Sequence, residues 1–167
     1  MSGVVRLAIF DVDGVMTDGR IAYSDDGREI KTFHTRDGLG LKALQSNGIG
    51  VAIITARRST IVERRAAELG IEHVLQGRED KAAALEVLIA RLSISAEQCA
   101  YTGDDLVDWP AMRRCGFKCA PADASAWIRL RADFVTHHPG GHGAVREVCE
   151  RILADQGLLD AWQGRFE

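Results

Sequence analysis

Two aspartates stand two residues apart in Asp11-Val12-Asp13-Gly14-Val15-Met16-Thr17, directly behind the apolar run Val4–Phe10. At the tip of a strand, carboxylates so spaced converge on one small volume, and Gly14 permits a turn that a side chain would obstruct. Alone, the stretch reads equally well as a catalytic carboxylate pair or as a capped turn, since Asp and Gly are turn residues anyway. A calcium loop fails. It requires Gly at its sixth position and Glu at its twelfth, where Met16 and Ala22 stand. A second acidic group, Gly103-Asp104-Asp105-Leu106-Val107-Asp108, follows another apolar run. Three crowded acids repel one another unless a cation neutralises them. Magnesium suits that role, being a hard ion that takes one or two carboxylates and keeps its water. Asp104 is the expected ligand, while Asp105 and Asp108 read nearly as well as acids favoured by a helix dipole. Thr55 ends a further apolar run, and Lys81 opens a helical pattern. A hydroxyl, an ammonium and free helix N–H groups together can hold a phosphoryl group, although either residue alone is more often a cap or a solvated lysine.

These side chains need a frame, and the apolar pattern supplies one. Val4–Phe10 and Ile49–Ile54 read as buried strands, with further strands over Ile71–Gln76, Gln98–Thr102, Gly116–Ala120 and Asp133–Thr136. Arg20–Ser24 and Arg28–His34 flank Asp25-Asp26-Gly27, a hairpin signal. Gly38–Ser46 reads as a helix stopped by Asn47-Gly48. Thr60-x-x-Glu63 is a capping-box signal, after which Ile61, Val62, Ala66 and Leu69 keep one helical face as far as Gly70. Leu85, Leu88, Ile89 and Leu92 mark another helix, and Val145, Val148, Cys149 and Ile152 a last one. The alternation predicts an α/β fold: a doubly wound, Rossmann-like, mostly parallel sheet with helices on both faces and a β-hairpin insertion after the first strand. Ligands of such sheets bind beyond the carboxyl ends of the strands. Asp11 and Asp13, Thr55, and Asp104 all fall there.

Composition narrows the class. A chain of 167 residues, 46% hydrophobic and 27% charged, has the make-up of one globular domain, expected over residues 1–167. With 21 basic against 24 acidic residues the net charge is −3, which argues against a general polyanion binder. No apolar run approaches the ~20 residues that span a bilayer. The start, Met1 to Arg6, lacks a signal-peptide layout, so a cytoplasmic chain is expected. Cys99, Cys115, Cys119 and Cys149 lack zinc spacing and read as free thiols. Gly38-x-Gly40-x-x-Ala43 fits a dinucleotide pattern but follows a polar hairpin strand. His137, His138 and His142 are broken up by Pro139-Gly140-Gly141, and Trp109, Trp127 and Trp162 lack the basic surroundings of a base-stacking platform.

Taken in order, D-x-D-G-x-x-T, a strand-ending Thr, a Lys and G-D-D-x-x-D resemble the haloacid dehalogenase superfamily of phosphotransferases. The resemblance implies Asp11 as a nucleophile that becomes an aspartyl-phosphate, and Asp13 as general acid, then base. It implies Thr55, the Ala56 backbone and Lys81 as phosphate holders. Magnesium would lie on Asp11, the Asp13 carbonyl and Asp104, with Asp105 and Asp108 acting from behind them through water. Carboxylates are known nucleophiles for phosphoryl transfer, and neighbouring acids with separated pKa values can divide such work. The intervals from Asp11 to Thr55 and from Thr55 to Lys81 leave no room for a large cap domain.

Among capless members the chain is similar to the 3-deoxy-D-manno-octulosonate 8-phosphate phosphatase family. The likeness is carried by Thr17-Asp18-Gly19, Arg36-Asp37-Gly38, Thr55-Ala56-Arg57, Trp109-Pro110 and Gly140-Gly141-His142-Gly143. It implies a sugar-acid phosphate as substrate on the way to lipopolysaccharide, with Arg57 and Arg36 as substrate contacts. An arginine suits a carboxylate, and the related 2-keto-3-deoxynononate 9-phosphate phosphatases carry Glu at the Arg57 position. Two departures stand out: Ala56 where the family commonly has Gly, and His142 where it usually has Arg. The second leaves the exact sugar acid open. A phosphatase for another nonulosonate or small ester, and a non-catalytic capless regulatory module, remain the alternatives. Ile21, Tyr23, Ile30 and Phe33 make the hairpin, residues 20–34, too apolar to stand alone in water. Pairing hairpins about a symmetry axis, as the resemblance to homotetramers implies, would bury them; packing on their own subunit is the alternative.

Overall fold

Short apolar runs pair side by side into one six-stranded sheet. The computed structural model describes residues 3–167, so Met1 and Ser2, where the leader was sought, lie outside the described residues. The strands are β1 (Leu7–Phe10), β4 (Gly50–Ile54), β5 (His73–Leu75), β6 (Cys99–Thr102), β7 (Phe117–Ala120) and β8 (Phe134–Val135). Their order is β5-β4-β1-β6-β7-β8, and every neighbouring pair is parallel. The hairpin strands β2 (Ala22–Tyr23) and β3 (Glu29–Ile30) pair antiparallel, apart from the sheet. The chain therefore winds outward from β1 through β4 to β5, then returns to the far side of β1 as β6. A crevice opens at that reversal, beyond the carboxyl ends of the strands.

Strand residues alternate between two cores. Ala8, Phe10, Val51 and Ile53 face one layer with α1 (Thr35–Ser46), α2 (Thr60–Leu69) and α6 (Ala144–Asp155). Leu7, Ile9, Ala52 and Ile54 face the other with α3 (Lys81–Leu92), α4 (Trp109–Met112) and α5 (Ala126–Arg129). A last helix, α7 (Leu159–Gln163), adds Trp162 to the first core. Both faces are covered, as the unbroken apolar runs require.

Several boundaries differ from the pattern-based ones. The first strand is shorter than Val4–Phe10, because Val4 is exposed and pairing in the sheet begins at Leu7. Helix α1 starts at Thr35 rather than Gly38, since the His34 side chain accepts the Arg36 N–H and caps it. Thr60 is the first residue of α2 and not its cap; Ser59 takes the cap position. The capping contact runs through Gln76, whose Oε1 accepts the Ser59 N–H at 2.7 Å while its Nε2 donates to Glu63 at 3.1 Å. Phe33 turns inward against its own core, whereas Ile21, Tyr23 and Ile30 stay exposed.

Coverage on both faces has a direct test. Ile9 and Phe10 are adjacent and fully buried but belong to opposite cores. Each truncation to Ala should therefore destabilise by about 2–5 kcal/mol in chemical denaturation. A silent Ile9→Ala or Phe10→Ala would mean that one face of the sheet is open.

Candidate active site

The carboxyl ends of β1 and β6 deliver the acids and that of β4 delivers Thr55, as the periodicity predicts. Asp11 follows β1, and its N–H donates to the Thr102 carbonyl at the end of β6. The Val12 carbonyl then accepts from the N–H groups of Val15, Met16 and Thr17, folding the motif into a tight turn. Gly14 sits at φ +88°, and a Cβ there would lie 2.2 Å from Asp104 Oδ2. Only glycine lets the two acidic loops close to this distance. The Gly141 N–H donates to the Val15 carbonyl at 3.0 Å, so the Gly-rich segment before α6 braces the same turn.

Lys81, the first residue of α3, is buried at the centre. Its Nζ lies 2.6 Å from Asp108 Oδ1 and 2.9 Å from Asp11 Oδ1. The first contact is a hydrogen bond between buried groups, and the second is an ion pair with the same ammonium. Asp108 also accepts from the Tyr101 hydroxyl at 3.2 Å and from the N–H groups of Asp104 and Asp105 at 3.1 and 3.3 Å. Asp108 stands at the N-cap position of α4, although its side chain makes no cap bond there. It is wholly buried, anchors Lys81, and folds the acidic loop around itself. Asp105 does not join it, because its carboxylate turns out to accept the Leu106 N–H at 2.8 Å.

Electrostatics follow from crowding. Burial, then Asp108, raise the Asp11 pKa to about 6 against the pull of Lys81. Burial, then Asp108, Asp11 and Asp105, raise Asp104 to about 7. Burial opposes the Lys81 charge, yet Asp11 and Asp108 hold its pKa above the ordinary value. One ammonium thus faces three carboxylates. Asp11, Asp104 and Asp108 each offer an oxygen within 4.8 Å of the others, and Asp108 is already committed. Hard donors and the excess negative charge of three clustered carboxylates fit a magnesium ion on Asp11 and Asp104.

The remaining candidates divide. Thr55 is buried behind β4, with its N–H on Leu75 and its carbonyl accepting from Arg78, and Ala56 beside it is exposed. Asp13 and Arg57 meet, Arg57 Nε lying 3.7 Å from Asp13 Oδ2. Arg36 lies instead in a surface depression with His138, His142 and Arg146. Two residues of the site escaped sequence reasoning: Lys31, which ion-pairs with Asp13, and Glu29, which accepts from Arg57 at 2.9 Å. Their charged alternation in a hairpin looks like a solvated face.

Comparison with known proteins agrees with this geometry. Residues 39–116 match the haloacid dehalogenase-like hydrolase family, a span that includes Thr55, Lys81, Asp104 and Asp108. The chain is 48% identical to the 3-deoxy-D-manno-octulosonate 8-phosphate phosphatase of Salmonella typhi over 161 residues, 96% of this chain and 86% of that one. The chain belongs to the haloacid dehalogenase-like hydrolases. It is a phosphoric monoester hydrolase by type. Among solved structures of this family, the Moraxella catarrhalis 3-deoxy-D-manno-octulosonate 8-phosphate phosphatase, in complex with magnesium ion, phosphate ion and KDO molecule, superposes with a TM-score of 0.95. It shares 47% identity, covering 98% of this chain and 94% of that one. The Yersinia pestis enzyme of the same name gives 0.92 at 49% identity, covering 93% and 84%.

The raised acids predict an inverted pH response of this hydrolase without metal. Asp11 and Asp104 keep protons in the folded state that the unfolded chain has already lost above its ordinary value of 3.8. Their contribution to stability is thus complete at low pH and falls as pH rises to about 7. Magnesium binds the ionised pair, so the melting-temperature gain it confers should grow between about pH 5 and pH 8. Asp104→Asn should flatten that growth. A gain independent of pH in the wild type would contradict the assignment.

Proposed function

We propose that the chain is a magnesium-dependent phosphatase that hydrolyses 3-deoxy-D-manno-octulosonate 8-phosphate through an aspartyl-phosphate. Asp11 carries the proposal: it is buried at the end of the central strand, beside Asp104, with its Oδ1 2.9 Å from the Lys81 ammonium. In the first step an Asp11 oxygen forms a bond to phosphorus, the ester bond to the sugar breaks, and Asp13 gives its proton to the departing alkoxide. In the second, Asp13 takes a proton from water as the water oxygen attacks phosphorus; the Asp11–phosphorus bond breaks and phosphate leaves. Lys81 and Thr55 hold the phosphoryl oxygens. Magnesium on Asp11 and Asp104 would offset the charge of the transferring group. Asp108 keeps Lys81 in place.

The sugar acid's carboxylate is assigned to Arg57, whose side chain is 40% exposed beside Asp13. The identity to named 3-deoxy-D-manno-octulosonate 8-phosphate phosphatases supports this substrate, whose product serves lipopolysaccharide synthesis. Four buried free thiols among the described residues support a cytoplasmic setting, and no helix of the described chain is long and apolar enough to cross a membrane. The interval from Asp11 to Thr55 is filled by the hairpin, α1 and β4, which supports a single capless domain.

Phosphate release from 3-deoxy-D-manno-octulosonate 8-phosphate, with magnesium and after chelation, tests the proposal. Asp11→Asn should lower turnover by at least about a hundredfold with the fold intact, because an amide cannot form the acyl-phosphate. Asp13→Asn should slow both steps. Near-normal turnover by Asp11→Asn would refute the covalent route, and preference for another nonulosonate phosphate would trace to His142.

In place of a cap, we infer that neighbouring copies cover the site in a homotetramer. Exposed Ile21, Tyr23 and Ile30 on the hairpin support this. Arg36 and the Gly140–Gly143 segment then reach substrate only through that assembly. Light scattering should give about four times the 18.2 kDa chain mass, and Ile21→Asp with Ile30→Asp should reduce it. A fully active monomer would defeat the inference.

A further inference from the structure

The proposed reaction uses Asp13 and Arg57 but no residue of the hairpin, although the hairpin's charges are locked onto both. Lys31, its side chain only 2% exposed, ion-pairs with Asp13 and lies 3.3 Å from Glu29 Oε1. The same Glu29 oxygen accepts from Arg57 Nη2 at 2.9 Å, and Arg57 Nε returns to Asp13 at 3.7 Å. Asp13, Lys31, Glu29 and Arg57 thus close a ring of alternating charge that sums to zero. Glu29 has one further partner. Its Oε2 accepts from the Ser59 hydroxyl at 2.6 Å.

That last bond is informative because of where Ser59 stands. It holds the cap position of α2, where a serine hydroxyl ordinarily accepts a helix N–H. Here it makes no cap bond and is turned to Glu29 instead. Burial opposes the Glu29 charge, yet Ser59, Arg57 and Lys31 hold its pKa below the usual value. Glu29 holds one terminal nitrogen of Arg57 and Asp13 stands 3.7 Å from its Nε, so the guanidinium is fixed on two sides while its side chain stays 40% exposed. An arginine side chain loses much rotamer freedom when a ligand fixes it. One already fixed binds its ligand without that cost.

We propose that Glu29, braced by Ser59, is the positioning residue that fixes Arg57 for the carboxylate of the sugar-acid phosphate, and that Lys31 keeps this corner neutral toward an anionic substrate. The inference rests on the phosphatase assignment above and on Arg57 as its carboxylate contact. Without Lys31 the ring would carry one positive charge fewer, with Asp13 ionised or protonated as the first step requires, and would hold every phosphate ester less strongly. Without Glu29 it would attract anions more strongly but present Arg57 in many orientations. Positioning and attraction therefore predict opposite outcomes for the same substitution.

Steady-state kinetics of the full-length, magnesium-saturated enzyme separate them, using 3-deoxy-D-manno-octulosonate 8-phosphate and 4-nitrophenyl phosphate. Glu29→Gln should lower the sugar-acid over aryl ratio of kcat/KM by about tenfold, chiefly through the sugar-acid KM. Ser59→Ala should lower it less, and Ser59→Thr, which keeps the hydroxyl, should restore it. Lys31→Met should raise KM for both esters. Glu29→Gln combined with Arg57→Ala should lose no more selectivity than Arg57→Ala alone. A ratio that holds or rises in Glu29→Gln, while Arg57→Ala lowers it, overturns the positioning role and leaves the phosphatase assignment standing. If Arg57→Ala also leaves the ratio unchanged, the carboxylate assignment falls and this role falls with it. Equal losses on both esters with a lowered melting temperature would mean that Glu29 only holds the hairpin.

Discussion

A single buried ammonium holds the site together. Lys81 lies among Asp11, Asp104 and Asp108 and contacts the first and last of them directly. Stripping one partner from a buried pair of this kind costs about 3–5 kcal/mol, because the other charge is left uncompensated. The surroundings are arranged to keep the pair intact. Asp80 caps α3 through the Ala83 N–H, which sets the helix start and therefore Lys81. Gly103 has no side chain to block Asp108, since a Cβ there would lie 2.5 Å from the Asp108 side chain. Tyr101, on the strand before the acidic loop, adds its hydroxyl. One helix, one strand and one loop thus meet on one charge.

That meeting point exists because of the winding. Strand β1 lies between β4 and β6, so the loops that leave its two neighbours flank the loop that leaves β1 itself. Parallel pairing brings Phe10, Ile53 and Thr102 level, and the polar residues that follow each of them emerge at one height. Neither edge strand could gather ligands from two sides in this way.

Much of this was legible in the amino-acid order. Asp11, Thr55 and Asp104 each follow a short apolar run, and strand ends are what apolar runs mark. Lys81 was legible because it opens a clean helical face. The contact of Asp108 with Lys81 was hidden for the opposite reason. The burial of Asp108 comes from Lys81, 27 positions earlier in the chain, and from the turn of its own loop, neither of which leaves a local pattern. Glu29 and Lys31 were missed because two-residue strands bearing alternating charge resemble any solvated hairpin. Ser59 was passed over for Thr60 because both are good caps, and only the extended backbone of Ser59 puts it outside the helix. Phe33 was grouped with the exposed hairpin residues, whereas the chain has already turned toward α1 at that point and carries it inward.

The inner cluster and the ring built with the hairpin differ in charge and in rigidity as well as in legibility. The inner cluster carries excess negative charge and sits on the sheet, where pairing and burial leave its atoms little freedom. The outer ring of Asp13, Lys31, Glu29 and Arg57 is neutral and is built half from the hairpin, whose strands are two residues long and mostly exposed. Phosphoryl transfer demands fixed distances, and the rigid sheet supplies them. Discrimination between substrates needs only a second anchor at the correct place, which a small peripheral element can provide and exchange without disturbing the first. Asp13 belongs to the outer ring but stands only two residues beyond Asp11. In the proposed reaction it would link the fit of a sugar acid at Arg57 to the proton transfer at the ester oxygen.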